Sequence, residues 1–224
     1  MLSHSSLGQL ALPLLYLLTF RPAAALGNAS AILPLKSVAY GTSYNTEVTF
    51  GDQTLWVIID TGSADLWALG SNWQCFYGKE APNGEPVSRA ECRNGDQTYT
   101  ESSTFEPIDW AWIGVHYGSG NVYGTLGFED IKVGDLTVPQ QITGVINATT
   151  SYFDDFGVGI LGLGYPTISQ IHPANYTGDT DLELLQDRLL YPTILQTMTK
   201  QGVEPYFAIA LERTPLDLEI GFGM

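Results

Sequence analysis

The stretch that decides the fold is Leu55-Trp56-Val57-Ile58-Ile59-Asp60-Thr61-Gly62-Ser63. Its apolar half is rich in β-branched side chains, which predicts a strand buried on both faces. The strand ends in Asp60, and an isolated ionised carboxylate loses its hydration when it is buried. Thr61 and Ser63 offer hydroxyl groups, and Gly62 lets the chain turn so that backbone N–H groups can face the carboxylate. Two interpretations of Asp60 stay open at this point: a catalytic acid or base, or a cap at a strand-to-turn junction.

The composition is that of an acidic chain with many turns. The 224 residues include 24 acidic and 9 basic side chains, for a formal net charge of −15. This balance argues against nucleic acid and anionic membrane surfaces as partners. Only 15% of the residues are charged, and glycine is abundant at 24 residues. These values suit a mostly β protein, and the length allows one large domain or two small ones.

The first 25 residues are expected to lie outside the fold. An apolar run from Leu7 to Phe20 is broken by Arg21-Pro22 and followed by Ala23-Ala24-Ala25, as in a secretory signal peptide. A membrane anchor is the alternative, but the run is short for a membrane span. We expect an N-terminal segment over residues 26–43 and the folded domain over 44–224. The predicted location is outside the cell or in the lumen of the secretory pathway or vacuole, with no membrane span in the mature chain.

Two further features fit a secreted protein. Acceptor sequons for N-glycosylation begin at Asn28, Asn147 and Asn175, in polar or turn-like stretches. The chain has two cysteines, Cys75 and Cys92, which are expected to pair in an oxidising compartment. The segment between them is polar and turn-rich, so a disulfide would restrain an otherwise loose loop.

Local patterns predict the remaining elements. A hairpin is predicted from residues 44–50 and 55–59, followed by a short strand over 66–69. A second hairpin is predicted from strands over 112–117 and 122–128, which flank Gly118-Ser119-Gly120-Asn121. Leucine spacing predicts a helix over 181–190, and Pro192 opens a second helical stretch that Lys200 and Gly202 end. Strands are predicted over 206–211 and 216–222.

Asp60-Thr61-Gly62-Ser63, followed by Leu66-Trp67, resembles the active-site motif of the pepsin-like aspartic peptidases of the secreted, fungal type. The resemblance implies a mostly β lobe with closed or sandwiched sheets, a flap hairpin and short helices near the C-terminal end. It also implies that Asp60 is one of two catalytic carboxylates, supported by Thr61.

Three later stretches extend the resemblance in the family's order. Tyr117-Gly118-Ser119-Gly120 is similar to the family's flap tip, and Trp67 is then expected to donate its indole N–H to the flap tyrosine. The phrase from Gly159 to Pro166 is similar to a family strand that crosses beside the aspartate loop, although Val158 stands where an Asp is usual. Gln201-Gly202 and Phe207 fit the tail of an amino-terminal lobe. The implied substrate-binding residues are Ile58, Gly62, Ser63, Tyr117, Gly118, Ser119 and Ile160.

The glycines from Gly157 to Gly162 also match the spacing of a dinucleotide-binding turn. That pattern has meaning only between a buried strand and a helix, and Asp154-Asp155-Phe156 precedes it while Pro166 follows. We therefore predict no cofactor. His116 and His172 are the only histidines after the leader, so no metal cluster is predicted either.

The chain contains one Asp-Thr-Gly and no Asp-Ser-Gly, whereas the family uses two lobes that each supply one carboxylate. The sequence thus indicates an amino-terminal lobe without the second. Three functions stay open: an aspartic endopeptidase whose partner lobe is missing, a homodimer like the retroviral peptidases, and a non-catalytic secreted binder of peptides or proteins. The expected partners are a peptide or protein substrate and a second lobe or second copy of the chain.

Overall fold

The computed structural model describes residues 30–78, 81–150, 153–175 and 188–211. The described residues form ten strands, one short α-helix and three short 3₁₀ turns. In chain order these are β1 (Lys36–Val38), β2 (Ser43–Phe50), β3 (Gln53–Asp60), β4 (Leu66–Phe76), β5 (Pro86–Val87), β6 (Glu106–Tyr117), β7 (Gly120–Val133), β8 (Leu136–Thr149), β9 (Gly159–Gly162), β10 (Ile171–Pro173) and α1 (Ile194–Lys200). The predicted mostly β fold class is confirmed.

The strands belong to one mixed sheet that curls back on itself. Its order is β1-β2-β3-β9-β4-β8-β7-β6-β10, and β5 pairs with β4 at the side. Residues Val48–Phe50 of β2 also pair with β7, which brings two distant parts of the strand order together. The side chains enclosed by this curvature are fully buried, among them Val48, Phe50, Val57, Trp67 and Ile131. Burial of such apolar surface is the main stabilising contribution to a fold of this kind.

The strand that carries Asp60 differs from the prediction in its burial. Leu55 and Val57 are buried, but Trp56, Ile58 and Ile59 are only partly covered. The expectation of burial on both faces is therefore wrong. Leu55 and Val57 share one face of β3 and pack into the core, whereas Ile58 and Ile59 at the end of the strand border a cleft.

Strand β9 lies between the two strands that flank the Asp60 turn. It pairs in parallel with β3, with Asp60 opposite Gly162, and antiparallel with β4, with Trp67 opposite Ile160. Glycine is needed here for close approach, since a Cβ on Gly159 would lie 2.2 Å from the Trp67 carbonyl oxygen. Because Gly157 to Gly162 run into a strand and no helix follows directly, the dinucleotide-binding alternative lacks its structural context.

The ends of the described chain depart from the predicted elements. Part of the N-terminal segment 26–43 joins the sheet, because β1 pairs with β2 from Lys36 onwards. Helix α1 matches the second predicted helix but begins at Ile194 rather than at Pro192. Residues 188–190 are not helical, and the rest of the first predicted helix lies outside the described residues.

The predicted strand over 206–211 is wrong, since these residues are exposed and have no regular secondary structure. A strand needs a neighbour to satisfy its backbone groups, and no described strand lies alongside. The predicted strand over 216–222 lies outside the described residues, as do residues 1–29 with the predicted leader and Asn28.

Cys75 and Cys92 form the expected disulfide. It joins the end of β4 to a short helical turn at Arg89–Cys92, and both cysteines are buried in the core. The loop is further fixed by Arg89, whose guanidinium lies 4.8 Å from the Trp73 ring centroid and donates to the Trp73 carbonyl oxygen. Within the described part of the chain, no helix has the length and apolar character needed to cross a bilayer.

Candidate active site

The Asp60 carboxylate lies at the end of β3 and is held by its own turn. The backbone N–H of Gly62 donates to Oδ1 at 2.8 Å, and the Ser63 hydroxyl donates to Oδ2 at 2.6 Å. Both carboxylate oxygens are thus oriented by hydrogen bonds, which favours a fixed geometry over a freely rotating side chain. Thr61 is exposed to solvent at the turn.

The Asp60 turn is hydrogen-bonded to the end of β9 and to the residues that follow it. The backbone N–H of Leu163 donates to the Asp60 carbonyl at 2.8 Å, and that of Gly164 donates to the Ser63 carbonyl at 2.7 Å. Gly162 adds a third bond, to the Asp65 carbonyl, at 3.1 Å. These main-chain bonds connect the turn to the end of β9 and the two residues after it, so the sheet helps to set the position of the carboxylate.

The hairpin of β6 and β7 places a tyrosine above this turn. Tyr117 pairs with Gly120 at the tip of the hairpin, and its hydroxyl accepts a hydrogen bond from the indole N–H of Trp67 at 2.9 Å. Burial raises the pKa of Tyr117 well above its usual range, and the charges of Asp65 and Asp60 raise it further. The hydroxyl is therefore protonated and available to donate across the whole range in which carboxylates titrate.

A cleft of about 220 Å³ lies between the hairpin and the turn. It is lined by Ile58, Ile59, Asp60, Tyr117, Ser119, Phe153 and Ile160. Four of the residues predicted to bind substrate, Ile58, Tyr117, Ser119 and Ile160, therefore meet at one cleft with Asp60. Gly62 and Ser63 instead contact Asp60, and Gly118 is exposed at the hairpin tip.

Sequence reasoning missed Phe153 and Ile59 as cleft residues. Phe153 lies 5.8 Å from Trp67 between ring centroids, in an edge-on arrangement that favours aromatic pairs. In the sequence, the cleft position of Phe153 was indicated only by an aromatic residue shortly before the stretch that begins at Gly159. The sequence predicts an interior position for Ile59, but this side chain is partly exposed and lines the cleft.

A second carboxylate, Asp65, was also missed. It is buried, with 1% of its surface exposed, and accepts hydrogen bonds from the Gln170 backbone N–H at 2.8 Å and from the Tyr191 hydroxyl. Burial raises the pKa of the Asp65 carboxyl, although these hydrogen bonds oppose the rise. Its sequence signal was an acidic residue enclosed by Ala64 and Leu66. Because Asp65 is buried and does not line the cleft, it is poorly placed to act on a water or a substrate.

No group of three or more His, Cys, Asp or Glu side chains among the described residues could hold a metal ion. The described groups at the cleft are one oriented carboxylate, the hydroxyls of Tyr117 and Ser119, and apolar walls. Such a site suits acid–base work on a substrate held under a hairpin.

An aspartate at a strand end beneath a hairpin that carries a tyrosine is the arrangement that the resemblance to pepsin-like aspartic peptidases predicts for a lobe of that fold. Residues 43–215 match the family model described as eukaryotic aspartyl protease, and the chain belongs to this family. In fold it is similar to the crystal structure of an aspartic proteinase from Irpex lacteus, with a TM-score of 0.51 at 24% identity over 76% of this chain and 39% of that one.

Curated fungal proteins show the same relationship. The chain is 31% identical over 181 residues to a "Probable aspartic-type endopeptidase" of Aspergillus fumigatus, a match that covers 80% of this chain and 38% of that protein. It is 28% identical over 172 residues to aspergillopepsin-1 of Aspergillus oryzae, covering 36% of that protein. The chain thus spans less than two fifths of the length of these relatives.

Proposed function

We propose that this chain supplies one of the two carboxylates of an acid endopeptidase, with Asp60 as the catalytic residue. The observation that carries the proposal is the Asp60 carboxylate, oriented through both oxygens by Gly62 and Ser63 at the floor of a cleft that Tyr117 covers. Aspartic peptidases hydrolyse peptide bonds with two carboxylates that share one proton, one activating a water and the other protonating the carbonyl oxygen.

The second carboxylate is proposed to come from outside the chain as given. A companion lobe of a longer protein is the first source, which agrees with the partial coverage of the relatives. A second copy of this chain, with two Asp60 turns meeting, is the alternative source. In the first case residues 44–224 act as the amino-terminal lobe, and in the second each copy supplies one of two equivalent lobes.

The substrate is proposed to be an extended peptide lying beneath the hairpin. Ile58, Ile160 and Phe153 offer an apolar surface for one side chain, and Ser119 offers a hydroxyl near the peptide backbone. Tyr117 closes the cleft from water and orients the peptide, because its ring is fixed by Trp67. Gly118 at the exposed tip lets the hairpin lie close to a substrate backbone.

We place the mature protein outside the cell or in the secretory or vacuolar lumen, after removal of residues 1–25. The predicted leader, the disulfide and the sequons support this location. Asn147 is exposed although it lies within β8 rather than in a turn, and Asn175 is exposed in a turn after β10. Both side chains are therefore open to glycosylation.

The test is acid cleavage of an unfolded protein substrate by purified chain, with Asp60→Asn beside it. We expect no cleavage by the chain alone, and cleavage in acid when a companion lobe is supplied. Activity that rises with the square of the chain concentration, and that falls when Asp60→Asn chains are mixed in, would identify a second copy as the source. Activity should decline as pH rises and the shared proton is lost.

The outcome against the proposal is cleavage by monomeric chain that Asp60→Asn removes. It would mean that another group in this chain serves as the second acid. A non-catalytic role in peptide binding is favoured instead if the chain binds peptides but stays inactive with every companion lobe and at every concentration. The apolar cleft is the observation that supports this second candidate. An intact mass of the natural protein well above that of a glycosylated chain of 224 residues would identify a longer product.

A further inference from the structure

One wall of the cleft belongs to a short acidic segment, residues 153–157, that comes directly before β9. Phe153 lines the cleft and packs against Trp67. At the other end of the segment, a Cβ on Gly157 would lie 3.0 Å from Ile58 and 2.6 Å from Asn45, so the backbone there rests on β2 and β3. The placement of this segment therefore decides the shape of the cleft beside Asp60.

Asp154 joins this wall to the beginning of β2. Its Oδ2 accepts hydrogen bonds from the Ser43 hydroxyl and from the Asn45 side-chain amide, the latter at 2.7 Å. Its Oδ1 accepts the backbone N–H groups of Phe156 at 3.1 Å and Gly157 at 2.7 Å. One carboxylate thus receives four hydrogen bonds from two separate parts of the fold, and all four need an acceptor oxygen.

The opposite side of the wall is held by main-chain bonds to the disulfide loop. The backbone N–H of Phe153 donates to the Cys92 carbonyl at 3.1 Å, and that of Asp155 donates to the Arg93 carbonyl at 2.8 Å. The Arg93 and Asp155 side chains also form an ion pair, but both are more than half exposed, at 55% and 58%. Exposed pairs contribute little, so this pair is a weak restraint compared with Asp154.

We propose that Asp154 is a positioning residue that holds the Phe153 wall of the cleft in place, and that its protonation sets the lower pH limit of peptide binding. This inference rests on the proposed function of the cleft, because it assigns a binding role to the wall. Asp154 does not line the cleft and takes no part in the reaction itself. The acidic limit therefore appears in binding rather than in the chemical step.

The direction of the pH effect follows from the environment of the carboxyl group. Burial alone would raise the pKa of Asp154, but the hydrogen bonds from Ser43, Gly157, Asn45 and Phe156 outweigh it and lower the pKa below its ordinary value of 3.8. A carboxyl group with a lowered folded pKa stabilises the fold above its ordinary pKa. This contribution is lost as pH falls through the folded value. The wall should therefore loosen only below pH 3.8.

The other charged groups near the wall are Arg93, Asp155 and Lys36. Arg93, on the disulfide loop, lowers the pKa of Asp155, whose carboxylate is exposed. From β1, the Lys36 ammonium lies 3.9 Å from the Phe156 ring centroid. Lysine and arginine keep their charge throughout the acidic range. The carboxyl groups of Asp154 and Asp155 are therefore the titrating groups to separate by experiment.

Amide hydrogen exchange can distinguish the roles of the Asp154 and Asp155 carboxyl groups, and it does not require peptidase activity. We expect the Phe156 and Gly157 amides to be protected at pH 5, and their protection, corrected for intrinsic exchange, to fall as pH drops below 3.8. Asp154→Ala, which removes the acceptor oxygens, should lose this protection at every pH. The control Asp155→Asn should keep it, since the described hydrogen bonds of the Asp155 side chain go to Arg93. Ser43→Ala removes one donor, so it should shift the loss of protection to higher pH.

Peptide binding is measured on the inactive Asp60→Asn chain, with an unfolded apolar peptide as the probe. Adding Asp154→Ala should weaken binding at pH 5 by roughly tenfold, the effect of one charge-assisted hydrogen bond, whereas adding Asp155→Asn should not. Equal exchange and equal binding in the two double variants would overturn the inference. The proposed pH limit of binding would be overturned if amide protection in the wild-type chain did not depend on pH. It would also be overturned if Ser43→Ala left the pH midpoint of the loss of protection unchanged. If the Asp60→Asn chain binds no peptide at any pH, the binding role of the wall fails, while exchange still decides whether Asp154 holds the wall. The proposed function is decided separately, by cleavage with a companion lobe.

Discussion

At the scale of single residues, two carboxylates five positions apart have opposite environments. Asp60 borders the cleft with both oxygens oriented by its own turn, while Asp65 is enclosed and bonded to Gln170 and Tyr191. The pKa of Asp65 is raised, chiefly by burial. Such a group favours the fold most when it is protonated, so it links stability to pH in the opposite sense from Asp154.

We predict that Asp65→Asn flattens the pH dependence of stability. In the wild-type chain the free energy of unfolding should decline as pH rises above 3.8, the ordinary pKa of Asp65, because the folded carboxyl group resists ionisation. Each unit of raised pKa corresponds to about 1.4 kcal/mol. The asparagine amide can donate to Tyr191 and still accept from Gln170, so the neutral hydrogen-bond pattern is kept.

Urea unfolding from pH 4 to 7 measures this slope, and the exposed Asp109→Asn provides the control. Parallel pH profiles for wild-type chain and Asp65→Asn would show that Asp65 ionises freely in the fold, contrary to the prediction.

The sequence separation between contacting residues explains which features of the site could be predicted. The Asp60 turn, the Tyr117 hairpin and the cysteine pair were predictable because each has a local signal: a motif, a glycine-rich turn or an even count. The partners of Phe153 and Asp65 were not, since Phe153 packs on Trp67 and Asp65 bonds to Tyr191, 126 positions away. Such contacts depend on how the sheet brings distant segments together, which no local pattern contains.

At the scale of elements, the position of the Asp60 turn depends on one four-residue strand. Strand β9 pairs with β3 on one side and β4 on the other, and three main-chain bonds connect its region to the turn. The prediction of a strand over 206–211 failed because a strand depends on its neighbours in the sheet. That segment has the composition of a strand, but no described neighbour supplies the pairing that would make it one.

We predict that Gly159→Ala destabilises the fold by about 3 kcal/mol, because the added Cβ would force β9 away from β4. The nearest obstacle, the Trp67 carbonyl oxygen at 2.2 Å, is backbone and cannot rotate aside. Gly118→Ala is the matched control, since a Cβ there meets nothing within 4 Å. Thermal and urea unfolding of both variants measure the difference. Equal stabilities would mean that the sheet can widen at β9 at little cost.

At the scale of the whole molecule, a net charge of −15 coexists with exposed apolar side chains. Tyr165, Leu190, Tyr206 and Leu211 have 81%, 71%, 77% and 52% of their surfaces exposed. Uncovered apolar groups favour association, whereas like charges on every copy oppose it. The balance between the two depends on the salt concentration.

We predict that the isolated chain associates as salt is raised at neutral pH, because screening removes the repulsion while the apolar attraction remains. The double substitution Tyr206→Ser with Leu211→Ser should reduce this association. Light scattering over a wide range of protein and salt concentrations measures it. A wild-type chain that stays monomeric throughout would show that these apolar side chains do not act as an association surface.

The central position of β9 has a consequence for biosynthesis. Strands β3 and β4 leave the ribosome early, but the strand that belongs between them is translated about a hundred residues later, a long-range pairing of the kind that slows folding. Until then the Asp60 turn lacks the backbone donors of Leu163 and Gly164. A nascent chain therefore carries its aspartate motif without the geometry that orients it. The geometry around Asp60 forms only after translation has passed residue 164, so a chain released earlier has an unformed site and two unpaired strand edges.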